Sequence, residues 1–237
     1  MKKAIVVGAS SGIGFELSKI LADNNYKVGV VGRRKERLID LKNTNFEKIF
    51  ISSFDCTSIE SKERLLNLAN LIGGLDLFVM SAGVGFLNAD LDGNLEKKTN
   101  DLNVVAFTEM ILWAYNYFKK QSFGHIVVVT SVAGARGNRF APAYNASKAY
   151  QINYIEGLRQ KLNKENEVIS LTDVRPGYVN TKMAQGDKLF WVSTKRKAAR
   201  QIFNLIKRKK SIGYVSRRWY LIYIFLKIIP NNIFKRL

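Results

Sequence analysis

Short apolar runs rich in β-branched residues alternate along the chain with stretches in which apolar residues recur every three or four positions. The apolar runs predict six strands, at 4–7, 27–31, 48–51, 75–80, 124–130 and 168–174. The periodic stretches predict helices at 11–22, 34–43, 58–71, 97–120, 144–163 and 194–209. Regular alternation of strand and helix is typical of a parallel sheet with helices on both faces. The predicted fold class is therefore α/β, a single Rossmann-type, doubly wound parallel sheet.

The first of these strands breaks into a glycine-rich turn that opens a helix. The turn runs Gly8-Ala9-Ser10-Ser11-Gly12-Ile13-Gly14. Glycines at such a turn let the backbone approach the pyrophosphate of a dinucleotide at the helix N-terminus. A secretory signal is a poor rival, because the apolar run is short and glycines interrupt it.

A second motif is typical of proton transfer. Tyr144 and Lys148 stand four residues apart on a predicted helix, so their side chains share a face, and Ser131 lies thirteen residues upstream. A neighbouring ammonium stabilises a phenolate, which predicts a lowered pKa for Tyr144 and a role in general acid/base catalysis. By itself a Tyr-x-x-x-Lys spacing is weak evidence, since an exposed helix can contain it by chance.

Taken together, the motifs resemble the short-chain dehydrogenase/reductase family over most of residues 3–182. The resemblance rests on the glycine turn, Asp55 in Phe54-Asp55-Cys56-Thr57, Ser81-Ala82-Gly83 after the fourth strand, Asn103, the Ser131, Tyr144 and Lys148 set, and the segment Arg175-Pro176-Gly177-Tyr178-Val179-Asn180-Thr181. It implies hydride transfer between a nicotinamide and a carbonyl or alcohol. Residues 1–181 would form the dinucleotide-binding and catalytic core, and residues 182–237 a short substrate lid and a C-terminal segment of the same domain.

The resemblance also implies roles for four catalytic residues. Tyr144 would protonate the carbonyl oxygen, or act as the base in the reverse direction, and Ser131 would hold that oxygen. Lys148 would lower the Tyr144 pKa and hold the ribose, while Asn103 would anchor a water that passes protons toward Lys148. Asn103 has an alternative interpretation, in which it satisfies buried backbone groups where a helix kinks.

Cofactor contacts are expected at the ends of several strands, and Arg33 and Arg34 favour NADP(H) over NAD(H). Guanidinium groups at the end of the second strand suit a 2′-phosphate, although in a basic protein they could be ordinary surface charges. The predicted cofactor-binding residues are Gly8, Ser10, Ser11, Gly12, Ile13, Gly14, Arg33, Arg34, Asp55, Ala82, Gly83, Tyr144, Lys148, Pro176, Gly177 and Thr181. No metal site is predicted.

Two positions depart from the family pattern. Val7 replaces a threonine and Ser81 an asparagine, and these family residues form hydrogen bonds between the first and fourth strands. Because both partners are replaced together, no single buried polar group is stranded. We expect a repacked, functional junction, with no strong gain in cofactor affinity or activity from Ser81→Asn.

Composition and charge add information about the setting of the protein. The 237 residues are 47% hydrophobic with three prolines, which fits one domain with a sizeable core. A single cysteine, Cys56, excludes an intrachain disulfide and favours the cytoplasm. The net charge is +19, and residues 182–237 contribute most of it, with 15 Lys/Arg and one acidic residue.

This basic segment contains the aromatic and aliphatic run 219–229, which is too short to span a bilayer. Residues 207–237 could bind an anionic membrane surface, placing the protein at the inner face of the membrane. Packing on the substrate domain or across a subunit interface is the alternative, and specific nucleic-acid binding is disfavoured because no recognised motif is present. The family resemblance implies a homodimer or homotetramer.

Substrate identity is the least determined feature. Phe140, Tyr178, Met183, Phe190 and Trp191 could line a pocket for a small lipophilic carbonyl or alcohol, or could be ordinary core. A catalytically silent dinucleotide-binding regulator or scaffold is the rival function from another class, disfavoured by the complete catalytic set. An epimerase or dehydratase is disfavoured because the chain lacks the additional C-terminal substrate domain of those relatives.

Overall fold

Parallel strands form the centre of the molecule. The computed structural model describes residues 1–165, 168–181, 183 and 189–235. Within them, seven parallel strands form one sheet of order β3-β2-β1-β4-β5-β6-β7. The strands are β1 Lys2–Val7, β2 Tyr26–Gly32, β3 Ile49–Ser53, β4 Leu77–Met80, β5 Gly124–Val129, β6 Ile169–Pro176 and β7 Ile212–Val215. The predicted doubly wound α/β fold is confirmed.

Helices cover both faces of this sheet. They are α1 Gly12–Asp23, α2 Lys35–Asn43, α3 Ser61–Ile72, α4 Gly93–Asn100, α5 Phe107–Gln121, α6 Pro142–Lys164, α7 Lys195–Lys207, α8 Trp219–Ile228 and α9 Asn231–Phe234. A one-turn 3₁₀ helix spans Val132–Ala135. The described residues include no helix that is both long enough and apolar enough to cross a membrane.

Two hydrophobic cores lie on opposite faces of the sheet because successive strand side chains alternate in direction. Ile5 faces the core that contains α3, α5 and the C-terminal part of α6. Val6 faces the core that contains α1, α2 and α7. The sheet is thereby buried on both sides, which explains the nearly continuous apolar sequence of its central strands.

The predicted helix over 97–120 differs from what is observed. The structure divides this region into α4, a π-helical segment at Asp101–Ala106, and α5. Phe107 N–H, which in a regular α-helix would bond to the Asn103 carbonyl, is directed to the carbonyls of Leu102 and Val104. The apolar periodicity of the region does not detect this change of hydrogen bonding.

The C-terminal part of the chain joins the sheet and the helical layer. β7 pairs with β6, and α7 packs against α1. Helix α8 places Trp219 and Tyr223 against the 3₁₀ helix and α6 in a third apolar cluster. The predicted lid over 182–191 lies partly outside the described residues, at 182 and 184–188. The described chain then returns beside residues 178–180, where Ser193 N–H bonds to the Tyr178 carbonyl at 2.9 Å.

Candidate active site

The glycine turn between β1 and α1 has the geometry of a phosphate-binding loop. Gly12 has a φ of +63°, in the left-handed region that favours glycine. A Cβ on Gly14 would stand 2.4 Å from the Gly8 carbonyl oxygen, so this approach of helix to turn requires glycine. The backbone can therefore come close to a ligand at the N-terminus of α1, as a dinucleotide pyrophosphate requires. Gly8, Ser10, Ser11, Ile13 and Gly14 would hold that group.

Arginines from the end of β2 lie beside this turn. The Arg34 guanidinium donates to the hydroxyls of Ser10 and Ser11 at 3.0 and 2.7 Å. Arg33 forms an exposed ion pair with Asp55 at 3.4 Å. Burial opposes ionisation of Asp55, but hydrogen bonds from Thr57 and the Arg33 charge hold the pKa of Asp55 below its usual value. The predicted cofactor residues Arg33, Arg34 and Asp55 are thus brought together with the glycine turn.

The segment after β4 approaches both the glycine turn and α6. A Cβ on Gly8 would stand 2.5 Å from Ala82 N, and one on Gly83 would stand 3.5 Å from Lys148 Nζ. Ser81 N–H bonds to the Val7 carbonyl at 2.9 Å, so a main-chain bond links β1 and β4 at the position of the two departures from the family pattern. Ala82 and Gly83 therefore lie between the expected cofactor loop and the catalytic set.

Asn103 lies in the π-helical segment and is completely buried. Its side chain accepts a hydrogen bond from Val84 N–H at 2.9 Å and donates to the Val84 carbonyl at 2.7 Å and to Ser147 Oγ at 3.0 Å. Asn103 therefore satisfies buried backbone groups at an irregular helix, which is what the alternative interpretation predicted. Its main-chain carbonyl accepts a hydrogen bond from Gln151 Nε2 at 2.8 Å.

Ser131 and Tyr144 converge from β5 and α6. Ser131 follows β5 and caps the 3₁₀ helix by accepting from Ala133 N–H at 3.1 Å. Tyr144 lies in the first turns of α6, where its ring packs against Gly85; a Cβ at Gly85 would stand 2.8 Å from Tyr144 Cδ2. The Ser131 hydroxyl is close enough to Tyr144 to affect its ionisation. A hydroxyl and a phenol are thus placed together, as the sequence predicted.

Lys148 is buried one turn after Tyr144, and its ammonium lies 6.0 Å from the centroid of the Tyr144 ring. Lys148 Nζ donates to Gln151 Oε1 at 2.9 Å and to the Val129 carbonyl at 3.3 Å. Burial lowers the pKa of Lys148 to about 8, while the charge of Asp173 acts in the opposite direction. A cation with a pKa close to neutrality in this position is typical of functional sites.

The segment after β6 closes the remaining side of the site. Ser131 Oγ lies 3.5 Å from the Pro176 carbonyl, and a Cβ on Gly12 would stand 3.4 Å from Thr181 Cγ2. Gly177 packs directly on Trp219, because a Cβ there would stand 2.0 Å from the indole ring. Residues from the ends of β1, β4, β5 and β6 therefore meet at one edge of the sheet, where open α/β folds bind ligands.

A protein-family model described as short chain dehydrogenase matches residues 2–189. The chain belongs to the short-chain dehydrogenase/reductase family. It is an NAD(P)-dependent oxidoreductase that acts on a CH–OH or C=O group. The seven-stranded parallel sheet with helices on both faces is the fold expected of a member.

Bacterial relatives are consistent with this family. The chain is 30% identical over 190 residues to an uncharacterized oxidoreductase of Staphylococcus epidermidis, covering 78% of this chain and 81% of that protein. An uncharacterized oxidoreductase of Mycobacterium tuberculosis is 30% identical over 191 residues, covering 77% and 75%. A crystal structure of a 3-ketoacyl-ACP reductase from Sinorhizobium meliloti has a similar fold, with a TM-score of 0.78 at 22% identity over 90% of this chain and 96% of that one.

For this short-chain dehydrogenase/reductase, the predicted direction of the Tyr144 shift is wrong. Desolvation raises the pKa of Tyr144 above its ordinary value, the Ser131 hydroxyl opposes the shift, and Tyr178 adds to it. The Lys148 ammonium is not among the groups that shift the pKa of Tyr144; it bonds to Gln151 and Val129 and lies 6.0 Å from the Tyr144 ring centroid. In the described state Tyr144 is therefore a protonated phenol, the form that a general acid requires.

The predicted pocket residues are only partly brought together. Tyr178, Phe190 and Trp191 form an aromatic cluster with Trp219, with ring centroids 5.1–6.0 Å apart. Phe140 instead stacks with Arg139, and Met183 is 41% exposed. Sequence reasoning missed Trp219 as a member of the cluster, because it assigned that residue to the C-terminal segment.

Gln151 was also missed. It stands three residues after Lys148, so helical spacing places it beside the lysine. That spacing was the only signal, since its second partner is a main-chain carbonyl of the irregular π segment.

Proposed function

We propose that this short-chain dehydrogenase/reductase uses NADP(H) to reduce a small lipophilic carbonyl compound to an alcohol, with Tyr144 as the general acid. The observation that carries the proposal is the convergence of Ser131, Tyr144 and Lys148 beside Gly83 and the glycine turn. The reverse reaction uses the same groups, with Tyr144 as the base.

The nicotinamide cofactor, when bound, supplies the hydride that adds to the carbonyl carbon. The Ser131 hydroxyl holds the carbonyl oxygen by a hydrogen bond, and Tyr144 gives its phenolic proton to the same oxygen. The Lys148 ammonium, one turn further along α6, holds the ribose and is the cation nearest in sequence to the phenolate that results. The raised pKa of Tyr144 keeps the phenol protonated at neutral pH, so the acid is available for each reduction.

The preference for NADP(H) rests on Arg33 and Arg34. The Arg34 guanidinium already lies against the Ser10 and Ser11 hydroxyls, next to the expected position of the pyrophosphate. A 2′-phosphate there would form charge-assisted hydrogen bonds, which a 2′-hydroxyl cannot match. Arg34→Met should raise the Michaelis constant for NADPH about tenfold or more and leave that for NADH nearly unchanged. Equal Michaelis constants for the two cofactors in the unaltered enzyme would refute the preference.

The lipophilic substrate is supported by the aromatic cluster beside the expected nicotinamide segment. Tyr178, Phe190 and Trp191 are 38%, 47% and 39% exposed, so the cluster presents apolar surface rather than being enclosed in the core. Such surface suits an apolar ligand that is anchored by one polar group.

We also propose that the exposed face of α8 binds an anionic membrane surface at the cytoplasmic side. Leu221, Phe225 and Ile228 are 66%, 54% and 72% exposed and share one helix face by their spacing. Arg217 and Arg218 precede this helix in the chain and Lys227 lies near its end, and cations near anionic lipid contribute about 1 kcal/mol each. The opposite face of α8 is packed on the protein, so the helix can lie flat in an interface.

A homodimer or homotetramer is proposed as well, as is common in the family. A second copy of the chain could bind the exposed face of α8 in place of the membrane surface. Light scattering after chromatography, with and without anionic vesicles, separates the two occupants. Assembly through α8 in the absence of lipid would argue against the membrane role.

The reductase proposal is tested by NADPH oxidation against a panel of lipophilic ketones and aldehydes. We expect turnover with at least one member and a loss of turnover in Tyr144→Phe. NADPH binding without turnover anywhere in a broad panel would favour the regulator instead.

A further inference from the structure

Gln151 connects two parts of the site that belong to different elements. It is 1% exposed, between α6 and the π segment. Its Oε1 accepts from Lys148 Nζ at 2.9 Å, and its Nε2 donates to the Asn103 carbonyl at 2.8 Å. Both ends of the amide are therefore used, and each end matches the polarity of its partner.

The π segment makes this second contact available. Phe107 N–H bonds to Leu102 and Val104 and leaves the Asn103 carbonyl to other donors. The Asn103 side chain is held by Val84 and Ser147, so the carbonyl is fixed in place. Gln151 thus donates to an acceptor that is held in place, and this bond fixes the orientation of the amide whose oxygen accepts from Lys148.

We propose that Gln151 is a positioning residue that holds the Lys148 ammonium at a fixed distance from the Asn103 carbonyl and directs its free N–H toward Tyr144 and the cofactor ribose. The part that concerns Tyr144 and the ribose rests on the proposed function. The amide spans the gap in which the sequence predicted a water between Asn103 and Lys148. An amide does not pass protons as a water does, so Gln151 holds Lys148 rather than supplying it with protons.

Titratable groups of the described residues face Lys148 from two elements. Tyr144 lies on the same helix, and Asp173 on β6 is the charged group that acts on the Lys148 ammonium from the sheet. Asp173 is already engaged, because it accepts from Arg175 Nε at 2.7 Å and from the Thr130 hydroxyl at 2.6 Å. The oxygen of Gln151 is therefore a side-chain hydrogen-bond acceptor that stabilises the Lys148 cation.

The test measures the Lys148 pKa directly in the protein without cofactor or substrate. The protein is labelled with ¹³C at lysine Cε, and Lys148→Met assigns the Lys148 signal by its loss. Gln151→Met keeps the volume but removes both hydrogen bonds, and should lower the Lys148 pKa by about one unit. Gln151→Ala opens a polar gap that a water can fill, so its shift should be smaller. Gln160→Met, on an exposed position of the same helix, is the matched control and should change nothing.

An unchanged Lys148 pKa in Gln151→Met would overturn the proposal, and so would a larger shift in Gln151→Ala, which is what a pure packing role predicts. If Gln151→Met does not fold, Gln151→Glu decides. Its carboxylate should raise the Lys148 pKa, and no rise would overturn the proposal. Because the titration needs no turnover, its failure is distinguishable from failure of the proposed reductase activity.

Discussion

Helices α6 and α8 differ in which side chains they bury and which they expose. α6 buries polar residues, and Ser147, Lys148 and Gln151 are 1–4% exposed while each bonds to a named partner. α8 leaves apolar residues in solvent on the face that contains Leu221 and Ile228. Buried polar groups are costly unless they are paired, and exposed apolar patches usually mark an interaction. The side chains of α6 are therefore held by contacts within the chain, whereas the exposed face of α8 is the surface that we propose to bind a partner.

Trp219 is the point at which the two regions meet. It begins α8, packs on Gly177 at the end of β6, and joins the aromatic cluster beside the catalytic set. Trp219 therefore connects α8 by direct contacts to the aromatic cluster that forms the expected substrate surface.

The largest expected effect concerns α6. Tyr144→Phe removes the proposed general acid and should lower kcat for reduction by about 10²–10⁴-fold, with NADPH affinity little changed. Steady-state kinetics and cofactor titration measure the two quantities. Tyr220→Phe, an exposed position on α8, is the control and should behave like the unaltered enzyme. A Tyr144→Phe enzyme with normal kcat would exclude Tyr144 as the general acid.

The contact between the two regions is tested by Gly177→Ala. Its Cβ would stand 2.0 Å from the Trp219 ring, so the indole must move, and overpacking of this kind costs about 1–3 kcal/mol in the free energy of unfolding. Denaturant titration followed by tryptophan fluorescence measures the cost. Gly157→Ala on α6, where a Cβ would meet nothing within 4 Å, should be neutral or stabilising by up to about 1 kcal/mol.

A third change addresses the exposed face of α8. Replacing Leu221, Phe225 and Ile228 together by Gln should reduce binding to anionic vesicles at least tenfold, since burying each apolar side chain contributes about 1.5–3 kcal/mol. Flotation of the full chain with anionic and with neutral vesicles measures it. Point variants are preferable to removal of residues 212–237, because that deletion also removes β7 from the sheet.

Leu66→Gln with Leu71→Gln on α3, where both leucines are exposed, is the matched control and should bind as before. Equal flotation of the α8 variant and the unaltered protein would end the membrane proposal and leave α8 to a protein partner.

The smallest effect is a pH dependence. The pKa of Lys148 is lowered to about 8, so its ammonium is present below that pH and is lost above it. The raised pKa of Tyr144 keeps the phenol protonated across this range, so kcat/KM for reduction should fall about tenfold per pH unit above about pH 8 through Lys148 alone. Lys148→Arg keeps its charge at every accessible pH and should flatten this limb. If the fall of kcat/KM above about pH 8 is the same in Lys148→Arg, another group is responsible for it.

The same contrast explains what the sequence could predict. The glycine turn and the Tyr144 and Lys148 pair are local patterns, and their positions at the strand ends follow from a parallel sheet. β7 was not predicted, because Ile212-Gly213-Tyr214-Val215 is short and contains a glycine. The direction of the Tyr144 shift depends on burial by distant segments, and the contact of Gln151 depends on a main-chain irregularity. Neither has a periodic signal in the sequence.

The most direct measurement of the central claim is deuterium transfer into the product alcohol from NADPH that carries deuterium at both hydrogen positions of the nicotinamide C4, followed by mass spectrometry. The unaltered enzyme should produce an alcohol with one deuterium on the former carbonyl carbon for each NADPH oxidised, and Tyr144→Phe should bind NADPH but form little product. An enzyme that binds labelled NADPH and transfers no deuterium to any lipophilic carbonyl, or a Tyr144→Phe variant that transfers it at the normal rate, would contradict the account.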